Sequence, residues 1–454
     1  MDAIEGLVQN LVSTNYEDIP RAAITTTKME VLDTLGVLIA GGKAPGCGAV
    51  VKVVTDWGGK PESTILVYGG KVPSYAAALV NSVIARALDY DTTIPGGLHP
   101  GASSVPTALA VAEMRGNVTG KELLTALVLG EDLAVRLHFA IPGTRFERNG
   151  ICLVFGTAAI TGRLLGLGTK EMRDALGIAL VQASGSFQTN LDGALAVRLS
   201  QGLTSQAGVQ SAIWAKHGIT GAQNIIDGKL GFLNTFADEE IKADALTRDL
   251  GQTFAGAANT SFKPYPSGNL VNAATWLTLQ LVTQHDITPD QVAEIKLGMT
   301  PFAYEKVGAP FTIRDNPQVD AQFSVCYAVA NALVRRDSQL EHFTDSSVRL
   351  PQVLSVVTKV HPEIDQRWVE KDIDPGAATV EIRLNDGRKY LLSLEHPKGR
   401  PQNPLTVAEI KQKFRRCVAY AGWLPKRGEE IISTIDRLAE IRDVTHLINL
   451  LIPA

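Results

Sequence analysis

Two acids, two hydroxyls and a histidine fall within one short run, Asp89-Tyr-Asp-Thr-Thr-Ile-Pro-Gly-Gly-Leu-His99. Asp89 and Asp91 offer carboxylates, Thr92 and Thr93 offer hydroxyls, and His99 offers an imidazole that changes charge near neutral pH. A carboxylate beside a histidine, walled in by apolar residues, is a setting where pKa values shift and general acid–base work becomes possible. Gly96 and Gly97 precede the histidine and let backbone or ligand approach closely. His99 is therefore the strongest single candidate for moving a proton. Asp89 and Asp91 lie two apart, so an extended backbone aims only one of them at a site and leaves the other to cap the loop. Thr93 is placed to donate to a substrate carboxylate or hydroxyl. A structural reading fits the same residues: Asp and Thr ahead of a helix satisfy its free N–H groups, and His99-Pro100 makes a turn. The chemical reading is preferred, because a loop between two apolar helices is the usual seat of an active site.

Further candidates lie elsewhere. Lys263 precedes Pro264-Tyr265-Pro266, two prolines that fix the backbone around Tyr265. A lysine and a tyrosine on such a stiffened segment suit the clamping of an anion or the relay of a proton; the alternative is a linker with a solvated lysine. Arg198, between apolar Val197 and Leu199, is placed to pair with a carboxylate of protein or substrate. The charged cluster Thr144-Arg-Phe-Glu-Arg148 reads as the start of a long apolar helix, and Gln322 and Ser324 as the cap of another.

The elements that must position these residues are mostly helices. Residues 1 to about 260 read as helix after helix. Arg21–Ile39 has amphipathic spacing and is stopped by Gly41 and Gly42, Ala76–Leu88 runs into the acidic loop, and a second apolar helix opens near Ser104. Thr119 and Glu122 form a capping box for a helix reaching about His138. After Lys263 the texture changes. Helices over about 270–284 and 322–333 alternate with strand patterns at 295–299, 354–360, 379–384 and 389–394, the last two joined by an Asn385-Asp-Gly-Arg turn. This is an α+β region over roughly 265–400, followed by helices from Leu405 whose Trp423, Ile431, Leu438 and Ile441 pack back on the first domain.

The chain has 454 residues, too many for one ordinary core. It is 45% hydrophobic and 20% charged with a net charge of −4, which argues for a soluble globular protein and against nucleic-acid or polybasic membrane partners. It opens MDAIEGLVQN, an amphipathic pattern, so no signal segment is expected, and no apolar run comes near the ~20 residues that cross a bilayer. Cys47, Cys152, Cys326 and Cys417 are far apart, so a reduced cytoplasmic setting is expected, with no zinc site. No nucleotide-binding glycine motif appears, so the chemistry is expected to use side chains alone, without metal or cofactor.

Six short motifs, in order, resemble the MmgE/PrpD family, which holds 2-methylcitrate dehydratase, cis-aconitate decarboxylase and iminodisuccinate epimerase. They are Leu88-Asp-Tyr-Asp-Thr-Thr with His99-Pro100, Phe155-Gly-Thr-Ala-Ala to Leu164-Leu-Gly-Leu, Ile219-Thr-Gly to Gly231-Phe-Leu, Lys263-Pro-Tyr-Pro, Ala321-Gln-Phe-Ser, and Asn403-Pro-Leu-Thr with Lys413-Phe414. The resemblance spans nearly the whole chain. It implies a mainly α fold: a large all-helical domain built from both chain ends (1–264 and 401–454) and a smaller α+β lid (265–400). It also implies a homodimer without metal or cofactor, and a substrate that is a small carboxylate. By position it puts Asp89, Thr93, His99, Lys263 and Tyr265 at the substrate.

The departures matter equally. Where the family has a histidine ahead of the Phe-Gly helix, this chain has Glu147; a Lys-Arg-Leu-His-Ala-Gly motif reads Val197-Arg-Leu-Ser-Gln-Gly202; and after Lys-Pro-Tyr-Pro the Cys-Arg…His pattern reads Gly268-Asn269…Asn272. Each lost cation removes a charge-assisted contact worth about 1.5–3 kcal/mol, so a tricarboxylate is poorly served. A substrate with fewer carboxylates, or with an amine for Glu147, fits better. The leading expectation is a cofactor-independent hydro-lyase that takes the proton alpha to a carboxylate, with His99, Asp89 and Lys263 catalytic and Asp91, Thr93, Tyr265, Glu147 and Arg198 binding substrate. An epimerase or decarboxylase comes second, and a catalytically silent homologue third.

Overall fold

The computed structural model describes residues 3–370 and 373–453, which divide into two compact units, one of the described residues up to Ser261 with those from Val407 on, the other of those between Phe262 and Thr406. The Arg21–Gly41 helix stands at the centre of the first. Pro20 precedes it, and from Met29 to Gly41 every residue is buried. The amphipathic spacing thus understates the burial. A helix buried all round belongs to the core rather than to a surface, and Glu30, Asp33 and Thr34 go inside with it. Gly41 is glycine because a Cβ there would lie 2.3 Å from the carbonyl oxygen of Ile84, on the neighbouring Ser74–Arg86 helix.

The Pro100–Arg115 helix begins four residues before the expected Ser104, with His99 as its N-cap residue and Pro100 in the first turn. Proline there costs nothing, since the first N–H groups of a helix have no intrahelical acceptor. Gly120–Ala140 starts as expected: the Thr119 hydroxyl accepts from the Glu122 N–H at 3.2 Å, while the Glu122 carboxylate accepts from the Thr119 N–H at 2.8 Å. Helices Val154–Leu165 and Ala196–Lys216 pack against each other and against the Pro100–Arg115 helix. The C-terminal helix Val407–Tyr420 belongs to this unit, and its Lys413 pairs with Asp33 at 2.8 Å and donates to the Tyr90 carbonyl at 2.7 Å. No described helix is long and apolar enough to cross a membrane.

The second unit carries a four-stranded sheet in the order Val360–Ile364, Val292–Met299, Ala378–Leu384, Lys389–Leu394. The first pair is parallel and the others antiparallel. Helices Asn272–Gln284 and Val325–Arg335 contribute to its core. The last two strands turn at Asn385-Asp386-Gly387, where Gly387 takes φ +89°. Residues 354–360 are not a strand. Pro351–Val357 is helical, with Val353 and Val356 buried three residues apart, and the strand begins only at Val360. Likewise 322–333 is not one helix: the chain breaks at Phe323, and Ser324 caps Val325–Arg335 by accepting from the Tyr327 N–H at 3.3 Å.

Candidate active site

The Ser74–Arg86 helix carries one charged residue, Arg86, at its last turn. The chain then leaves the helix, and Asp89 takes φ +49°, a left-handed conformation that aspartate tolerates through local hydrogen bonding. This reversal returns Asp89 and Asp91 toward Arg86 together, so the expected alternation of one carboxylate in and one out does not hold. The Arg86 guanidinium pairs with Asp89 and reaches Asp91 Oδ1 at 3.4 Å. Thr93 then pairs through its backbone with Ser261 (2.9 and 2.8 Å), and the turn over Gly96 and Gly97, both at φ +94°, closes with the Ile94 N–H on the Leu98 carbonyl at 2.8 Å.

That turn delivers His99. Its Nδ1 lies 2.9 Å from Asp91 Oδ2, and its Nε2 lies 3.4 Å from Arg86 Nη2. A carboxylate held beside a guanidinium accepts and does not donate, so the ring is assigned its proton at Nδ1 and its lone pair at Nε2. The backbone of His99 is held from both sides. Its N–H donates to Asn149 Oδ1 at 2.7 Å, and its carbonyl accepts from Gln201 Nε2 at 2.8 Å. Asp89, Asp91, Thr93 and His99 are all buried. Burial alone would weaken the Arg86 cation, but the charges of Asp91 and Asp89 outweigh it and hold Arg86 protonated more firmly than usual. The result is a histidine oriented by one carboxylate, with two carboxylates neutralised in part by a fixed cation. This is the arrangement of a general base or acid whose ring cannot turn.

Asp89, Asp91 and His99 have potential ligand atoms within 4.8 Å of one another. Arg86 already sits against both carboxylates and supplies the positive charge that a divalent ion would bring, so the set is read as an ion-paired dyad.

The remaining candidates fall differently. Both Glu147 oxygens are taken by the chain itself, one by the Asn149 side chain and the other by the Gly150 N–H at 2.8 Å. Glu147 therefore fixes Asn149, which fixes the His99 backbone. It supports the dyad from behind. Arg198 is buried, donates to the Pro45 carbonyl at 2.7 Å and is close enough to the site to feel the charges of Arg86 and Asp89. The Thr93 hydroxyl is buried and makes no hydrogen bond among the described residues, which leaves it available to a ligand. Lys263 and Tyr265 belong to the second unit, Lys263 buried and Tyr265 half-buried, on a segment held by the Phe262 N–H to the Gly399 carbonyl (2.9 Å) and by Gln322 Nε2 to the Pro266 carbonyl (3.3 Å). Sequence reasoning passed over Arg86, Asn149 and Gln201. Arg86 had a visible signal: it is the sole charged residue of its helix and lies three residues before Asp89.

Residues 5–244 match the MmgE/PrpD N-terminal domain, and residues 265–440 match the MmgE/PrpD C-terminal domain. The chain belongs to the MmgE/PrpD family. The mainly helical first unit, with the acidic loop and His99 inside the matched N-terminal domain, accords with this family's fold. Among curated MmgE/PrpD relatives, a cis-aconitate decarboxylase of Aspergillus terreus (strain NIH 2624 / FGSC A1156) is 25% identical, over 95% of this chain and 93% of that protein. The cis-aconitate decarboxylase of Mus musculus is 25% identical over 99% and 93%, and that of Homo sapiens 24% identical over 94% and 90%.

On the other side of the turn, a cavity of about 530 Å³ is lined by Pro95, Gly96, His138, Arg148, Lys242 and Arg248 among others. His138 is buried, with Nε2 donating to the Pro95 carbonyl at 2.8 Å and Nδ1 accepting from Arg148 at 3.1 Å. Burial, and then the Arg148 charge, push its pKa down to about 4. The unfolded imidazole protonates near its ordinary 6.5 while the folded one stays neutral until about 4. Stability is therefore untouched above pH 6.5 and falls between 6.5 and 4, by about 3 kcal/mol in all. Urea unfolding of wild type and His138→Gln across this range should show the wild type losing that much more than the variant. Parallel curves would mean that His138 is not a buried neutral imidazole.

Proposed function

We propose that this protein is a lyase that works without a cofactor, using His99 to carry a proton at the carbon alpha to a carboxylate of a small substrate. The observation that carries the reading is the buried His99–Asp91 contact at 2.9 Å with Arg86 behind it. In elimination, Nε2 takes the alpha proton and the electron pair moves into the adjacent carboxylate as an enolate. It then returns to form the C=C bond as the β-hydroxyl takes the proton from the newly formed His99 imidazolium and leaves as water. An alpha proton is only weakly acidic, so the enolate needs a donor; the Thr93 hydroxyl is the group available for it. For Lys263 and Tyr265 the reading stays that of the sequence, a cation and a phenol on a proline-stiffened segment that receive a substrate carboxylate. Dehydration of a mono- or dicarboxylate is the leading form, because the family's basic positions at Glu147, Ser200 and Asn272 are lost here.

Decarboxylation is the second reading, favoured by the names of the relatives. There the same imidazole, protonated, would deliver a proton to carbon as the C–C electron pair left by departing CO₂ is quenched.

Proton NMR in D₂O with cis-aconitate, 2-methylcitrate and a panel of smaller hydroxy- and unsaturated carboxylates tests both. Deuterium uptake with a new vinyl signal from a hydroxy acid supports dehydration. Conversion of cis-aconitate to a five-carbon dicarboxylate with loss of CO₂ moves the assignment to decarboxylation. Alpha exchange alone means epimerisation, and preference for the tricarboxylates overturns the substrate part of the proposal.

A further inference from the structure

The middle residue of the acidic loop, Thr92, is fully buried and turns its hydroxyl inward, donating to Glu30 Oε1 at 2.7 Å. Glu30 lies on the central Arg21–Gly41 helix and Glu131 on Gly120–Ala140; each is about 1% exposed, and the two carboxyls are close enough to interact directly. Two carboxyls buried side by side resist ionising together, so the pair is expected to hold one proton. Its location follows from the partners. Burial raises both carboxyls, but Glu30 accepts from Thr92, which favours its anion, whereas burial and then the Glu30 charge push the Glu131 carboxyl well above the usual carboxylate range. Glu131 is then the acid and Glu30 the base. The other charged groups around them are matched among themselves. Asp33 pairs with Lys413 at 2.8 Å, Asp132 with Arg136 at 2.8 Å, and Asp91 with Arg86 and His99. The start of the Pro100–Arg115 helix closes over the cluster. A Cβ on Gly101 would lie 2.6 Å from the Thr92 hydroxyl and 3.0 Å from Glu30 Oε1, so only glycine fits.

We propose that Glu30 and Glu131 form a one-proton carboxyl pair that anchors Thr92 from inside the helical unit and thereby sets Asp91 against His99. They are positioning residues. Thr92 is joined by a single peptide bond to Asp91, whose carboxylate decides which nitrogen of His99 carries the proton. A shift of the loop by one hydrogen bond would release the ring. The inference concerns the dyad itself and holds whatever substrate the protein takes.

The test reads the ring and does not depend on turnover. In the full-length protein with ¹⁵N-labelled histidine, the His99 signals are identified by their loss in His99→Asn. Their nitrogen shifts give the fraction protonated at Nδ1. Wild type is expected to show the Nδ1-protonated ring as the dominant form, with the Nε2-protonated form minor. Thr92→Val, which keeps shape and loses only the hydroxyl, should raise the Nε2-protonated form at least tenfold, and so should Glu131→Leu. Glu131→Gln restores a donor to Glu30 and should behave as wild type. An unchanged tautomer in folded Thr92→Val overturns the proposal, as does Glu131→Gln behaving like Glu131→Leu. Where Glu131→Leu fails to fold, Thr92→Val alone decides. Failure of the lyase assignment with these shifts intact would leave the positioning role standing.

Discussion

His99→Asn is expected to lower kcat by about 10²–10⁴-fold, the usual worth of a positioned general acid or base, with the fold retained. The structure gives reasons for both parts. Turnover falls because Nε2, the one ring nitrogen with a lone pair in this arrangement, disappears. The fold survives because the backbone of residue 99 is held by Asn149 and Gln201, whose bonds go to its N–H and carbonyl. An asparagine amide also places a donor near Nδ1 and keeps a partner for Asp91. The measurement is steady-state turnover on whichever carboxylate the D₂O experiment selects, with solvent-deuterium exchange at the alpha carbon as a second readout. Wild-type turnover in a folded variant would remove His99 from the mechanism.

Arg86→Met should cost about 3 kcal/mol of stability at neutral pH, because it withdraws the cation against which two buried carboxylates are held. Methionine matches the aliphatic part of the side chain, so the loss is chiefly electrostatic. The sign of its pH dependence follows. At neutral pH Asp89 and Asp91 must be buried as anions and the variant suffers fully; as pH falls and they protonate, the deficit relative to wild type shrinks. Arg86→Lys should recover only part of the loss, since one ammonium cannot fork toward Asp89, Asp91 and His99 together. Urea midpoints of the three proteins at pH 7 and pH 5 check this. A variant within 1 kcal/mol of wild type at pH 7 would mean that Arg86 does not bear the charge balance of the site.

Local signals carried much of the chain. The Thr119–Glu122 capping box, the Asn385–Gly387 hairpin and the glycine-rich turn before His99 each depend on neighbours within a few residues, so the sequence alone sufficed to place them. The family pattern was also legible, because six motifs kept their order along the chain. Segment 354–360 was ambiguous by nature. A short apolar run fits either period, and only the burial of Val353 and Val356 on one side decided for a helix.

What tertiary structure alone decided was direction and partnership. Nothing in the spacing of Asp89 and Asp91 says that a left-handed residue turns both toward Arg86. Nothing near Glu147 in the sequence says that its carboxylate holds the Asn149 side chain and the Gly150 N–H. Glu30 and Glu131 are 101 positions apart, in helices whose apolar pattern gives no hint that two carboxyls meet inside. Periodicity reports which residues are buried; it is blind to which buried polar groups face one another. Residue types and order determined that a histidine and two acids share one loop. Only the packing of helices distant in sequence decided which atoms hold that histidine in place, because a buried polar group must find its partner in three dimensions.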